Sequence, residues 1–293
     1  MHRLSQALCA SVLLLVGCGS GTIYRGGDGA PTDGLASVDA AADGTVGPGP
    51  DAAPGIDATP EPDAAPGPDA QTTGVVPPIG GASGGAGGST APSGAWASAG
   101  GVDYLIIVPS GYSEAVPNRL MIVYSGTEGA QTMTNNLLQV AGPYGLGDVI
   151  FAVLDGVTYY GNGAAGATVL NDVRTRYNVD NDRTFLLSES AGTSAGLQLG
   201  LSLRQSYFAA YWANDVNAQA APTANAASLG FAPWGNAGPG GDFVDANAIV
   251  AGMVGAGYRL PADAPYSGPG ASTHGDPQQF LAAIAFFNGK SRL

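Results

Sequence analysis

Two side chains in this sequence have the types needed for nucleophilic acyl transfer. Ser190 stands in the run Ser188-Glu189-Ser190-Ala191-Gly192, which follows an apolar segment and precedes a predicted helix. A serine at so tight a strand–turn–helix junction is typical of a catalytic nucleophile. Such a serine needs a general base, and histidine is the side chain that changes charge near neutral pH. The chain has 2 histidines, and His274 is the one that lies far from the N-terminus.

A second serine competes with Ser190 for the role of nucleophile. Ser194 lies in Gly192-Thr193-Ser194-Ala195-Gly196, which matches the Gly-x-Ser-x-Gly pattern letter for letter. It lies one turn inside the predicted helix, however, whereas a nucleophile of this kind belongs at the end of the strand. Placement favours Ser190. A serine that merely caps the helix is the alternative without chemistry.

The elements that must position these residues alternate between buried strands and helices. The apolar runs predict strands over 103–108, 120–124, 149–154, 184–187 and 208–213, with a weaker one over 228–232. Helices are predicted over 132–140, 166–177, 192–205, 245–256 and 277–289. This alternation indicates a mainly parallel α/β sheet, in which ligands bind at the carboxyl ends of the strands. Ser190 follows the fourth of these strands.

The sequence resembles the α/β-hydrolase superfamily, and within it the secreted esterases of the polyhydroxybutyrate depolymerase and feruloyl esterase type. The resemblance runs from about residue 102 to 290 and rests on these stretches: Tyr104–Tyr112, Leu120–Gly126, Asp172-Val173, Tyr177–Asp180 with Arg183, and His274-Gly275 ahead of Ala285–Phe287. It implies a three-layer sandwich on an eight-stranded, mostly parallel sheet without a large lid. It also implies ester hydrolysis, with neither cofactor nor metal.

The third member of the implied triad is an acid between Ser190 and His274 in the chain. Asp242 is preferred, because it follows the sixth predicted strand in an Asp-x-Val sequence. Asp245 and Asp215 remain alternatives, and Asp245 is also a candidate N-cap of the next helix. The chain departs from the family pattern just before this point, at Gly235–Gly238, which leaves the choice open.

The negative oxygen of a tetrahedral intermediate needs two hydrogen-bond donors. The backbone N–H of Ala191 is the first candidate, since it follows the nucleophile at a helix N-terminus. The N–H of Thr127 is the second, in the loop after the second predicted strand, where Ser125-Gly126 replaces the His-Gly of related esterases.

These assignments predict a serine ester hydrolase that works through an acyl-enzyme. Only a short Ala- and Asn-rich segment, 214–227, separates the fifth and sixth predicted strands, so an open site and polymeric or aryl ester substrates are expected. Tyr159, Tyr160 and Trp234 are candidates for lining that site. The alternatives are a non-catalytic binding module on the same scaffold and a serine peptidase of the same fold.

The N-terminus predicts export and lipid anchoring. Residues 1–17 combine a basic start with a short apolar run, as signal peptides do. The run ends in Leu15-Val16-Gly17-Cys18, which resembles the bacterial lipobox, with Cys18 as the lipidated residue. Gly19 after it is compatible with the outer membrane of a Gram-negative cell. We therefore expect an envelope or extracellular protein with a membrane-anchored N-terminus.

Composition divides the rest of the chain in two. Residues 18–95 have a six-residue Asp/Ala/Pro/Gly repeat and one aromatic residue, Tyr24, which predicts a disordered tether. Residues 96–293 are expected to form the folded domain, and the protein is expected to be monomeric. The net charge of −13, from 10 Lys and Arg against 23 Asp and Glu, excludes a nucleic-acid-binding protein that neutralises phosphates.

Overall fold

The computed structural model describes residues 77–293, which fold around one seven-stranded sheet. The strands are β1 Ala91–Ala99, β2 Val102–Val108, β3 Asn118–Tyr124, β4 Ile150–Leu154, β5 Val179–Glu189, β6 Ala210–Asn214 and β7 Trp234–Ala237. The α-helices are α1 Gly129–Val140, α2 Gly163–Arg176, α3 Thr193–Gln198, α4 Ala226–Leu229, α5 Phe243–Gly255 and α6 Pro277–Phe287. A π-helical segment, Leu199–Leu203, continues α3.

The sheet is mostly parallel. Its strand order is β1-β2-β4-β3-β5-β6-β7, and β3 to β7 run in the same direction. The antiparallel strands β1 and β2 form one edge of the sheet. Parallel neighbours bring their carboxyl ends to the same end of the sheet, which we call its carboxyl edge. The loops after β3, β4, β5, β6 and β7 meet there.

Helices cover both faces of the sheet and make it the middle of three layers. Alternate residues of a strand face opposite sides. In β2, Tyr104 and Ile106 therefore pack in one apolar cluster and Leu105 and Ile107 in the other. Residues of α2, α3 and α5 complete the first cluster, and residues of α1 and α6 complete the second. The predicted architecture, a three-layer α/β sandwich on a mostly parallel sheet, is confirmed for the described residues.

The folded domain begins before residue 96, where the sequence predicted the tether to end. Residues 77–90 lie against α2 and β5: the Ser83 N–H donates to the Val179 carbonyl at 2.8 Å, and the Gly80 N–H donates to Asp182 at 2.7 Å. A Cβ on Gly88 would overlap the ring of Tyr177. The glycines of this segment, which suggested flexibility, are what lets its backbone approach the helix so closely.

Two further expectations differ from the structure. Residues 228–232 do not form the sixth strand, because a short helix, α4, ends at Leu229 with Gly230 in left-handed conformation. The last strand is instead Trp234–Ala237, and the described sheet has seven strands rather than the eight that the family resemblance implied.

The N-terminal predictions lie outside the described residues. These are the signal peptide over 1–17, the lipid anchor at Cys18 and the part of the tether that precedes residue 77. Within residues 77–293, none of the helices has the length and apolar character needed to cross a membrane.

Candidate active site

The turn after β5 holds Ser190 in a strained conformation. β5 ends at Glu189, and a short 3-10 turn, Ser190–Gly192, leads into α3. Ser190 has φ of +45°, a left-handed conformation that costs a non-glycine residue about 1 kcal/mol or more. Gly192 is required, because a Cβ there would lie only 2.6 Å from the Ser125 carbonyl and the Tyr124 side chain. This geometry is that of a nucleophile elbow.

Ser188, which stands where related sequences have glycine, fits because Gly196 lies opposite it on α3. A Cβ added to Gly196 would overlap the Cβ of Ser188. The Ser188 hydroxyl is buried and hydrogen-bonds the Tyr211 hydroxyl at 2.9 Å. The glycine at position 196 therefore compensates for the missing glycine at position 188.

This packing predicts a compensating pair of substitutions. Gly196→Ala is expected to lower the free energy of unfolding by about 1 to 3 kcal/mol, because it overpacks the contact with Ser188. Adding Ser188→Gly removes the opposing Cβ, so the double variant should recover most of the loss. Chemical denaturation of the two single variants and the double variant measures the coupling. Additive effects of the two substitutions would contradict the assigned contact.

His274 lies next to Ser190 at the carboxyl edge of the sheet. Its Nε2 is 2.8 Å from the Ser190 Oγ, although 84 residues separate the two in the chain. The imidazole is exposed to solvent, in the loop that precedes α6, whereas Ser190 is 8% exposed. The rival serine, Ser194, is helical and makes no hydrogen bond with His274 in the described structure.

Asp215 is the carboxylate that holds the His274 loop. It follows β6, is 1% exposed, and has φ of +48°. Its Oδ2 accepts the backbone N–H of Gly275, next to His274, at 2.6 Å, and its Oδ1 accepts the Gln279 side-chain amide at 2.5 Å. The loop after β7 packs directly on this carboxylate, since a Cβ on Gly240 would overlap Asp215 Oδ1.

Asp242, the preferred acid from the sequence, has a different place in the structure. It is exposed and caps α5, accepting the Asp245 N–H at 3.0 Å. Asp245 lies in the first turn of that helix and accepts the Gln219 side-chain amide at 2.6 Å. The helix begins earlier than predicted, at Phe243, so Asp242 rather than Asp245 is its N-cap. Asp215, a secondary candidate, is the one tied to the His274 loop.

The two expected oxyanion donors belong to segments that adjoin Ser190. Ala191 is in the first turn of the 3-10 segment, where N–H groups have no partner within the helix. Thr127 follows Gly126, and a Cβ on Gly126 would lie 3.2 Å from the Ser190 Cβ. The loop after β3 therefore lies directly beside the nucleophile. Glu128 belongs to the same loop, and its Oε1 accepts the Gly126 N–H at 2.9 Å.

Sequence reasoning missed two acidic residues of this site, Glu128 and Glu189. Burial raises the pKa of Glu128, and the charges of Asp155 and Asp215 raise it further. Burial also raises the pKa of Glu189 well above its usual value, with Asp215 as the next cause. The available signal was the position of Glu189, directly before Ser190 at the end of a buried strand.

The aromatic residues expected around the site divide between the two edges of the sheet. Tyr159 and Tyr160 lie in the loop after β4, at the carboxyl edge, and the side chain of Tyr160 is 62% exposed. Trp234 instead begins β7, so it lies at the opposite edge, where Arg259 and Lys290 pack over its ring. Trp234 is therefore not a lining residue. No cluster of three or more potential metal ligands occurs within residues 77–293.

Comparisons with known proteins give structural neighbours only. No family model matches the chain, and no curated protein sequence matches it. A thermostable esterase is 12% identical with a TM-score of 0.47, over 65% of this chain and 60% of its own length. LpqC, a poly(3-hydroxybutyrate) depolymerase from Bordetella parapertussis, is 14% identical with a TM-score of 0.49, over 69% of this chain and 92% of its own. A feruloyl esterase module from Clostridium thermocellum is 11% identical with a TM-score of 0.46, over 68% of this chain and 89% of the module's chain.

Proposed function

We propose that this protein is a serine hydrolase of carboxylic esters. The observation that carries the proposal is the 2.8 Å contact between Ser190 Oγ and His274 Nε2, made by a serine in a strained elbow at the carboxyl edge of the sheet. A nucleophile within hydrogen-bond reach of its base is the arrangement that acyl transfer needs. The esterases among the structural neighbours agree with this reaction class.

In the proposed mechanism, His274 removes the Ser190 proton as Oγ attacks the ester carbonyl. The Ala191 and Thr127 N–H groups stabilise the negative oxygen of the tetrahedral intermediate, and His274 then protonates the leaving alcohol. Water, activated by the same histidine, hydrolyses the acyl-enzyme. Asp215 is the proposed acid. In the described chain its hydrogen bonds go to the Gly275 N–H and to Gln279 rather than to the imidazole, so it acts by orienting the His274 loop and by its negative charge near the imidazolium.

The proposed substrates are esters presented from solvent, including polymeric or aryl esters. His274 is exposed, and four exposed apolar side chains lie at the same edge of the sheet. Val157 and Tyr160 belong to the loop after β4, and Phe243 and Val244 to the first turn of α5, which follows the loop after β7. We also propose that Cys18 anchors the chain to a bacterial envelope membrane, with the domain acting outside the cytoplasm. Turnover confined to small soluble nitrophenyl esters, with no hydrolysis of any polymeric ester or of any bulkier aryl ester, would contradict this substrate class.

Covalent labelling tests the proposed reaction directly. A fluorophosphonate probe should label the full-length protein at one residue, and peptide mapping should place the label on Ser190 rather than Ser194. Hydrolysis of nitrophenyl esters should disappear in proportion to the labelling. An unlabelled, folded protein without esterase activity would favour a binding module on a hydrolase scaffold and overturn the proposal. Parallel assays on peptide amides would reveal a peptidase.

A further inference from the structure

Two carboxyl groups lie side by side next to the proposed nucleophile. Glu189 is the last residue of β5, paired in register with Asn214 of β6, and Asp215 is the next residue along the chain. Glu189 is 8% exposed and Asp215 is 1% exposed. Burial and the adjacent Asp215 carboxyl group raise the pKa of Glu189 well above its usual value, and Glu189 Oε2 accepts the Asn214 side-chain amide at 2.8 Å.

A hydrogen bond between the two carboxyl groups requires a proton, because two ionised carboxylates have only acceptor oxygens. The charged groups that face the pair are Glu128, from the loop after β3, and His274, from the loop before α6. The three ion pairs of the described chain involve other carboxylates, those of Asp148, Asp172 and Asp180. Two buried acids without a neutralising guanidinium or ammonium group share a proton.

The hydrogen-bond partners indicate which carboxyl group holds this proton. Asp215 accepts two N–H donors, one on each oxygen, from Gly275 and Gln279. Donors of this kind favour the charged form of an acid. Glu189 accepts a single amide, on Oε2, which leaves the other oxygen free to carry the proton. This pattern of donors favours the proton on Glu189 rather than on Asp215.

We propose that Glu189 is a positioning residue, which stays protonated and hydrogen-bonds Asp215 so that the pair carries one negative charge at the His274 loop. The inference rests on the proposed function, since it assigns Asp215 to the catalytic machinery. A buried series of hydrogen bonds fixes the Glu189 side chain. The Trp212 indole N–H donates to Asn214 Oδ1 at 2.8 Å, and the Asn214 side-chain amide donates to Glu189 Oε2. The elbow strand and the acid are thereby held as one unit.

The proposal gives activity a dependence on alkaline pH. While Glu189 is protonated, Asp215 stays bound to the Gly275 N–H. When pH rises through the raised pKa of Glu189, loss of the proton leaves two adjacent buried charges, and Asp215 is pushed from its position. Activity is therefore retained below that pKa and falls above it.

The experiment compares Glu189→Gln with Glu189→Ala in the full-length protein. Glutamine keeps both features of the neutral acid, a donor toward Asp215 and an acceptor for Asn214. We expect Glu189→Gln to keep kcat/KM within about threefold of the parent at neutral pH and to lose the alkaline fall. Glu189→Ala removes the donor and should lower kcat about ten- to hundredfold, with little change in KM. The profile is measured between about pH 5 and 10.

Asp182 provides the matched control. It is a buried carboxylate at the other end of the same strand, and it accepts the Gly80 N–H. Asp182→Asn and Asp182→Ala should leave the shape of the pH profile unchanged, whatever they do to stability.

Equal losses in Glu189→Gln and Glu189→Ala, with the alkaline fall intact in both, would overturn the positioning role. If Glu189→Ala does not fold, the pH profile of Glu189→Gln alone decides. Fluorophosphonate labelling separates this failure from that of the proposed function: a parent protein that labels at Ser190 keeps the function even if Glu189 has no part in it.

Discussion

Ser190→Ala is expected to lower kcat for ester hydrolysis by about 10⁴- to 10⁶-fold. The hydroxyl is the attacking group in the proposed mechanism, and no other serine of the described chain hydrogen-bonds His274. The remaining rate comes from the Ala191 and Thr127 donors acting on water attack. Steady-state turnover of a nitrophenyl ester measures the loss, and the fluorophosphonate label should vanish with it.

Ser194→Ala is the matched control, because Ser194 is on the same segment four residues later. Alanine has the highest helix propensity, so the helix is retained. Its turnover should stay within about twofold of the parent. A loss of turnover comparable to that of Ser190→Ala would instead identify Ser194 as the nucleophile.

Ser190→Gly separates loss of chemistry from loss of fold. Ser190 has φ of +45°, where glycine is free of the steric cost that a Cβ imposes. This variant should be as inactive as Ser190→Ala yet raise the free energy of unfolding by about 1 kcal/mol. Thermal or chemical denaturation checks it. Such a gain would show that backbone strain is kept at this position for the sake of the nucleophile.

The strands that carry the site were predictable because they are buried on both faces. β2, β3, β4 and β6 each contain a short continuous apolar run, β5 has one near its end (residues 185–187), and turn residues such as Pro109 and Asp155 close the runs of β2 and β4. β1 was not predictable: its sequence APSGAWASA has little apolar character, since it is an edge strand with most side chains exposed or partly exposed. Its pairing with β2 comes from backbone hydrogen bonds, which composition does not reveal.

The contact between Ser190 and His274 was predictable from their types and places in the chain, whereas the carboxylate that holds the His274 loop was not. Asp215 and Asp242 both satisfy the order Ser, acid, His. What separates them is how the loops after β6 and β7 pack, and this depends on the close approach of Gly240 to Asp215. The proximity of Glu128 and Glu189 was unpredictable for the same reason. Glu128 lies in the loop after β3 and Glu189 ends β5, and one sequence does not give the lateral distance between strand ends.

Asp215→Asn is expected to lower kcat/KM by about 10³- to 10⁴-fold. Asparagine adopts left-handed conformations more readily than most residues other than glycine, so the backbone at φ of +48° is retained. The substitution removes the negative charge beside the His274 loop and leaves an amide that matches only one of the two donors, the Gly275 N–H and the Gln279 amide. The assay uses a nitrophenyl ester near neutral pH.

The matched control is Asp242→Asn. Asparagine is as good an N-cap as aspartate, so α5 and its contact with the Asp245 N–H are preserved. Turnover should remain within about threefold of the parent, and Asp242→Ala should cost about 1 kcal/mol of stability with a similarly small effect on rate. A large rate loss in Asp242→Asn with a small one in Asp215→Asn would make Asp242 the acid of the triad.

Removing the charge of Asp215 has a second consequence that the same variant reports. The Asp215 charge is a cause of the raised pKa of Glu189, after burial. In Asp215→Asn the pKa of Glu189 should therefore fall, and the single negative charge moves to Glu189 as pH rises. Glu189 accepts from Asn214 rather than from the His274 loop, so this charge restores little activity. The rate of Asp215→Asn should therefore recover only in part as pH rises, and not at all in the double variant with Glu189→Gln. The recovered fraction measures the contribution of negative charge alone. The remainder measures the contribution of the hydrogen bond from the Gly275 N–H to Asp215.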